Sequence, residues 1–103
     1  MNTEFYSDET KCKYRTKLVE TIGVFENLLK ETHLPIYDNV VNQLLDIKEK
    51  VVERQIISNS FDIDERYTLG AIAIRYFDEN KKLQNMLCDI YYGALYYSEL
   101  PEE

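Results

Sequence analysis

Tyr67-Thr68-Leu69-Gly70-Ala71-Ile72-Ala73-Ile74-Arg75-Tyr76-Phe77 decides the fold class. It is rich in β-branched and aromatic residues and reads as a strand on composition alone. Ile63, Tyr67, Gly70, Ile74 and Phe77, however, recur at steps of four, three, four and three, one face of a helix. A single strand would find no partner elsewhere in this chain, and unpaired backbone groups are costly, so helix is the expectation. Asp62 and Glu65 resemble a capping box and would open this helix, although its usual first member is Ser or Thr.

Outward from this segment the pattern repeats. Towards the N-terminus, residues 8–31 place Leu18, Ile22, Phe25 and Leu29 on one stripe, widened by Val19 and Leu28. Ser7 or Asp8 could cap its start. Thr32-His33-Leu34-Pro35 interrupts the pattern, and proline fits the first turn of the next helix. That helix carries Tyr37, Val40, Val41, Leu44, Ile47, Val51 and Val52 to about Ile57, before the polar turn Ser58-Asn59-Ser60. On the C-terminal side, Asp78-Glu79-Asn80 turns or caps. A last helix over about residues 81–99 then presents Leu83, Met86, Leu87, Ile90, Ala94 and Tyr97. Four amphipathic helices with short connections predict an all-α, antiparallel four-helix bundle, one domain over residues 1–103. Three glycines and two prolines leave little material for the many turns of an all-β fold.

Charge narrows the function classes. There are 12 Lys+Arg against 19 Asp+Glu, a net −7, and residues 59–103 alone carry four basic and nine acidic side chains. Nucleic-acid binding draws much of its affinity from basic side chains on phosphates, so a nucleic-acid partner is not expected. Met1-Asn2-Thr3-Glu4 lacks the basic and apolar parts of a signal peptide, and no apolar run approaches membrane-spanning length. Cys12 and Cys88 show no zinc spacing and read as reduced, packing thiols of a cytoplasmic protein.

No catalytic constellation emerges. A calcium loop opening at Asp62 needs glycine at its sixth position and glutamate at its twelfth, where this chain has Tyr67 and Ala73. Helix capping is the better account of Asp62, Asp64 and Glu65. His33 has no neighbouring nucleophile in sequence and suits a helix C-terminus. There is no glycine-rich phosphate loop and no nucleophile elbow. The expectation is a non-enzyme with no cofactor and no metal.

The unusual segment is Asp89-Ile90-Tyr91-Tyr92-Gly93-Ala94-Leu95-Tyr96-Tyr97-Ser98-Glu99, with four of the nine tyrosines. Consecutive helical residues point about 100° apart, so four tyrosines cannot share one core face. With Ile90, Ala94 and Tyr97 inward, Tyr92 and Tyr96 point to solvent one turn apart. Asp89, Glu99, Glu102 and Glu103 then rim them with negative charge. Tyrosine anchors interfaces and charge steers encounter, which suits a basic protein partner. The competing reading packs these tyrosines against the other helices with only their hydroxyls at the surface.

At Asp89-Ile90-Tyr91-Tyr92 the segment resembles the acidic, tyrosine-bearing recognition region of nuclease-colicin immunity proteins, up to Gly93, which stands where their pattern has proline. Those are small acidic four-helix bacterial proteins that bind a basic toxin and block it without catalysis. In size, charge and helix count the chain is also similar to some immunity proteins of contact-dependent inhibition systems. The resemblance implies Asp89, Tyr91 and Tyr92 as contacts, and the aromatic periodicity independently adds Tyr96. The expected function is thus an inhibitor or immunity protein for a basic toxin or enzyme, with Asp89, Tyr91, Tyr92, Tyr96 and Glu99 as partner-binding residues. The alternative is a helical adaptor or a homodimer pairing through the same tyrosine face.

Overall fold

The computed structural model describes residues 10–102, and every described element is helical. Helix α1 (Lys11–Thr32) is capped by Thr10, whose Oγ1 accepts from the Lys13 N–H at 3.1 Å. The caps expected at Ser7 and Asp8 lie outside the described residues. Leu18, Ile22 and Phe25 are buried as their spacing requires, and Leu29 packs against them. Three positions differ from expectation. Val19 points to solvent, because it sits 100° round the helix from Leu18. Tyr14 and Thr21 are buried instead, extending the stripe; each hydroxyl donates to a backbone carbonyl, Tyr14 to Ile90 at 2.6 Å and Thr21 to Lys17 at 2.8 Å.

His33 ends α1 in the left-handed region (φ 56°) with its N–H on the Leu29 carbonyl, the geometry that stops a helix. Pro35 then starts α2 (Pro35–Asp46) as expected, and α2 runs on into a π-helical segment, Ile47–Glu53. Val40, Val41, Leu44, Ile47, Val51 and Val52 are all buried. The helix ends before Ile57, because Gln55 turns left-handed (φ 51°) and the Lys50 carbonyl accepts from Ile56 and Ile57.

The stretch at 67–77 is helical and not a strand. It is not one helix with residues 62–66, however. Helix α3 (Ser60–Arg66) and helix α4 (Leu69–Tyr76) are separated by an extended Tyr67 (φ −116°, ψ 139°). Asn59 supplies the cap expected of Asp62: its Oδ1 accepts from Phe61 N at 2.7 Å and Asp62 N at 3.4 Å.

The break is held from α2. Gln43 Oε1 accepts from Thr68 N at 2.8 Å, and Gln43 Nε2 donates to Thr68 Oγ1 at 2.9 Å. Asp46 receives Arg66 Nε at 2.6 Å, Arg66 Nη2 at 3.2 Å and the Tyr67 hydroxyl at 2.6 Å. The Gln43 bond replaces the helical one that the Thr68 N–H has lost, while Tyr67 N–H still donates to Ile63 and Asp46 pins the side chains of Arg66 and Tyr67. They also reset the register. Leu69, Ile72, Ala73 and Phe77 turn inward, while Ile74, expected in the core, is 66% exposed.

Helix α5 (Lys81–Tyr96) is capped by Asn80 Oδ1, which accepts from Leu83 N at 3.2 Å. It buries Leu83, Leu87, Ile90, Gly93 and Ala94 and continues as a 3₁₀ turn, Tyr97–Glu99. Helix α1 packs on α2 and α5, and α3 and α4 both pack on α5. The rings of Phe25, Tyr37 and Phe77 meet with centroids 5.8–6.0 Å apart and join α1, α2 and the end of α4. The Pro101 carbonyl accepts the Lys11 N–H at 2.7 Å, so the C-terminal segment closes over one of the orphan donors at the start of α1. Arg15 Nη1 donates to the Tyr97 hydroxyl at 3.0 Å on the same side. The expected helical architecture is thus present, with five α-helices among the described residues in place of four.

Gly23 gives a first quantitative expectation. It lies inside α1, and a Cβ there would meet nothing within 4 Å. Gly23→Ala should therefore raise stability by about 0.5–1 kcal/mol, the helix-propensity difference. A urea midpoint equal to or below that of the wild type would contradict this.

Candidate functional site

Asp89, Tyr92 and Tyr96 stand three and four residues apart on the solvent side of α5, opposite the buried Ile90, Ala94 and Tyr97. Tyr92 is 50% exposed and Tyr96 38%. The aromatic pair is therefore out of the core but backed by a rigid helix. The Asp89 carboxyl lies above its ordinary range because it is partly desolvated, an effect opposed by Lys17 of α1. Asp89 thus stands on the flank nearest α1.

The other two expected residues lie apart from this stripe. Tyr91 is half-buried and turned towards α3 and α4. Its ring lies against Gly70, where a Cβ would come within 3.1 Å of it, and its hydroxyl donates to Asp64 Oδ1. Burial, then the Asp64 carboxylate, push its pKa up to about 12. The Tyr91 hydroxyl is thus engaged within the protein, and the ring meets Tyr92 edge-on at 5.6 Å. Glu99 follows the helix, beside Tyr96, Leu100 and Pro101, around a shallow depression of about 290 Å³. Glu102 reaches Lys11 at 3.5 Å, and Glu103 lies outside the described residues. The carboxylate rim therefore holds at Asp89 and Glu99, while Glu102 is drawn towards α1.

Sequence reasoning missed the neighbouring surface. A groove of about 490 Å³ runs between α4 and α5, lined by Gly70, Ala71 and Ile74 on one side and by Tyr91, Tyr92 and Leu95 on the other. Asp64 of α3 also lines it. No periodicity could have found it, because a continuous helix would have turned Ile74 inward.

A second polar cluster, around Asp46, is structural. The Arg66 guanidinium, with help from the Tyr67 hydroxyl and Lys50, lowers the Asp46 carboxyl to about 2, against the desolvating effect of its partial burial. Tyr67 is raised by burial and by Asp46. The cluster clamps α2 to the α3–α4 break, and a carboxylate held this firmly is a poor base at neutral pH. Cys12 is exposed and Cys88 half-buried; both are free thiols, and burial, with Asp89 adding to it, raises the Cys88 thiol pKa. Exposed Cys12 departs from the expectation of a packing thiol. Among the described residues no group of three His, Cys, Asp or Glu side chains could hold a metal, and no helix is long and apolar enough to cross a membrane.

Residues 13–96, from the first turn of α1 to the last residue of α5, match the Tsi6 family model. The chain belongs to the Tsi6 family. Tsi6 is a type VI secretion immunity protein, so the expectation of a toxin-immunity protein holds at the level of this class. No curated protein and no solved structure matches the chain significantly. The Tsi6 match includes the α4–α5 groove and the Asp89–Tyr96 stripe, and leaves out Glu99 and the C-terminal segment that closes onto Lys11.

Proposed function

We propose that this Tsi6-family chain is a non-catalytic immunity protein that neutralises a basic toxin by binding it directly through the outer face of α5. The observation that carries the reading is the pair of half-exposed tyrosines on that face, Tyr92 and Tyr96, one turn apart and flanked by Asp89 and Glu99. Such side chains offer large contact area at low entropic cost, and the carboxylates steer a cationic partner. Free Cys12 and Cys88 suit action in the reducing cytoplasm. A second copy of the chain is the less favoured partner, because a symmetric contact here would bring like charges together. Sedimentation as a monomer at low salt is therefore expected.

The test is affinity for the toxin in Tyr92→Ala and Tyr96→Ala. Each should weaken binding by roughly ten- to thirty-fold, as truncated interface anchors do. Far-UV circular dichroism should be unchanged, since both rings lie outside the core. A double variant that binds as tightly as wild type would remove α5 from the interface. Loss of helix content would place these rings in the fold instead.

A further inference from the structure

The groove between α4 and α5 is an apolar surface feature whose walls are made by two helices and whose rim carries the Asp64 carboxylate. Ile74 stands 66% exposed beside it and Tyr92 50% exposed across it. The small residues Gly70 and Ala71 keep it open. Tyr91 is immobilised against Gly70 and by its bond to Asp64, so that side is preformed rather than adaptable.

Asp64 gives the groove its polarity. Its Oδ1 takes the Tyr91 hydroxyl, while its Oδ2 has no partner among the described residues. Asp62 and Glu65, both exposed, sit on the same short helix. The adjacent cation, Arg66, is already spent on Asp46. An incoming positive charge therefore meets an oriented acceptor with no cation bound to it among the described residues.

We infer that this groove receives one branched or aromatic apolar side chain of the toxin, adjacent to an arginine that pairs with Asp64. The inference rests on the immunity reading and moves the centre of the contact from the tyrosine stripe to the cleft beside it, with Tyr92 shared between them. The apolar side chain would cover Ile74 and the exposed part of Tyr92, and a guanidinium matches a carboxylate better than an ammonium does because its geometry is a planar fork. A second copy of this chain would present a carboxylate to a carboxylate and does not fit.

The probe is N-acetyl-leucyl-arginine amide, titrated into the ¹⁵N-labelled protein, with N-acetyl-leucyl-glutamate amide as the control. Shifts should concentrate at Gly70, Ala71, Ile74 and Leu95, with binding at least three-fold weaker for the glutamate peptide. In Asp64→Asn the difference between the two peptides should collapse. Shifts centred elsewhere, equal responses to the two peptides, or no response at all would overturn the cleft.

With the toxin itself, Ile74→Asp should weaken binding by thirty-fold or more. Val19→Asp, the same change at an exposed apolar position on α1, should stay within two-fold of wild type. A toxin that binds Ile74→Asp normally overturns the cleft and leaves the immunity reading standing. A wild-type chain that binds no toxin overturns the immunity reading, and the peptide titration still decides whether the cleft takes an apolar–cationic ligand.

Discussion

Gly93→Ala is expected to cost about 2–3 kcal/mol and lower the melting temperature by roughly 10 °C or more. A Cβ at this position would fall 2.3 Å from Tyr14 Cε1 and 2.5 Å from Cδ1, far inside contact distance. The ring has nowhere to go. Tyr14 is fully buried, its hydroxyl is fixed on the Ile90 carbonyl one turn back along α5, and its ring packs 5.5 Å from that of Tyr97. Relief must come from moving α1 away from α5, which would loosen the core between them. Against this stands the gain of about 1 kcal/mol that alanine brings to a helix interior. The expected value is the balance of the two, and Gly23→Ala, where only the gain operates, supplies the contrasting sign in the same urea assay. The coupling is also open to a double-mutant cycle. Tyr14→Leu combined with Gly93→Ala should cost less than the sum of the two, because the smaller side chain vacates the space the new methyl needs. Additive effects would show that the contact is not the cause.

Asp46→Ala should be the other severe change, at about 2–3 kcal/mol near neutral pH. It removes the acceptor of the Tyr67 hydroxyl, whose side chain is buried, and unpairs the Arg66 fork. The wild-type protein should reveal the same interaction through pH. The carboxyl falls from 3.8 when unperturbed to about 2 in the folded state, principally through Arg66. A folded pKa below the unfolded one means stability that is present above pH 3.8 and lost as pH falls towards about 2. The amount is on the order of 2 kcal/mol. The stability gap between wild type and Asp46→Ala, measured in urea, should therefore be widest near pH 6 and shrink below pH 4. A gap independent of pH would assign the effect to packing and not to the charge.

The same cluster explains where the sequence could be read and where it could not. Periodicity alone placed Leu18, Ile22 and Phe25, the run from Val40 to Val52, and Leu83 to Ala94 inside, and Tyr92 and Tyr96 outside. Proline placed the start of α2, and Asn80 the start of α5. These are local facts: 3.6 residues per turn decides which side chains share a face, and a cap needs only its own first turn. Tyr14 escaped because burying a phenol requires a distant acceptor, and Ile90 is far away in the chain.

Within 67–77 the local pattern was sound for helix over strand and failed on continuity. Whether a helix breaks depends on what replaces its missing hydrogen bond and holds the flanking side chains, and here Gln43 takes the Thr68 N–H while Asp46 holds Arg66 and Tyr67, both from another helix. The break in turn puts Ile74 at the surface, opens the α4–α5 groove and sets Asp64 beside Tyr91. The sequence by itself determined an acidic, all-helical chain with a tyrosine face on its last helix, because composition and helical period are properties of neighbours in the chain. Only the tertiary structure decided the register after Tyr67, the fit of Tyr14 over Gly93 and the cleft beside the tyrosines, because each depends on groups that meet only when separate helices pack.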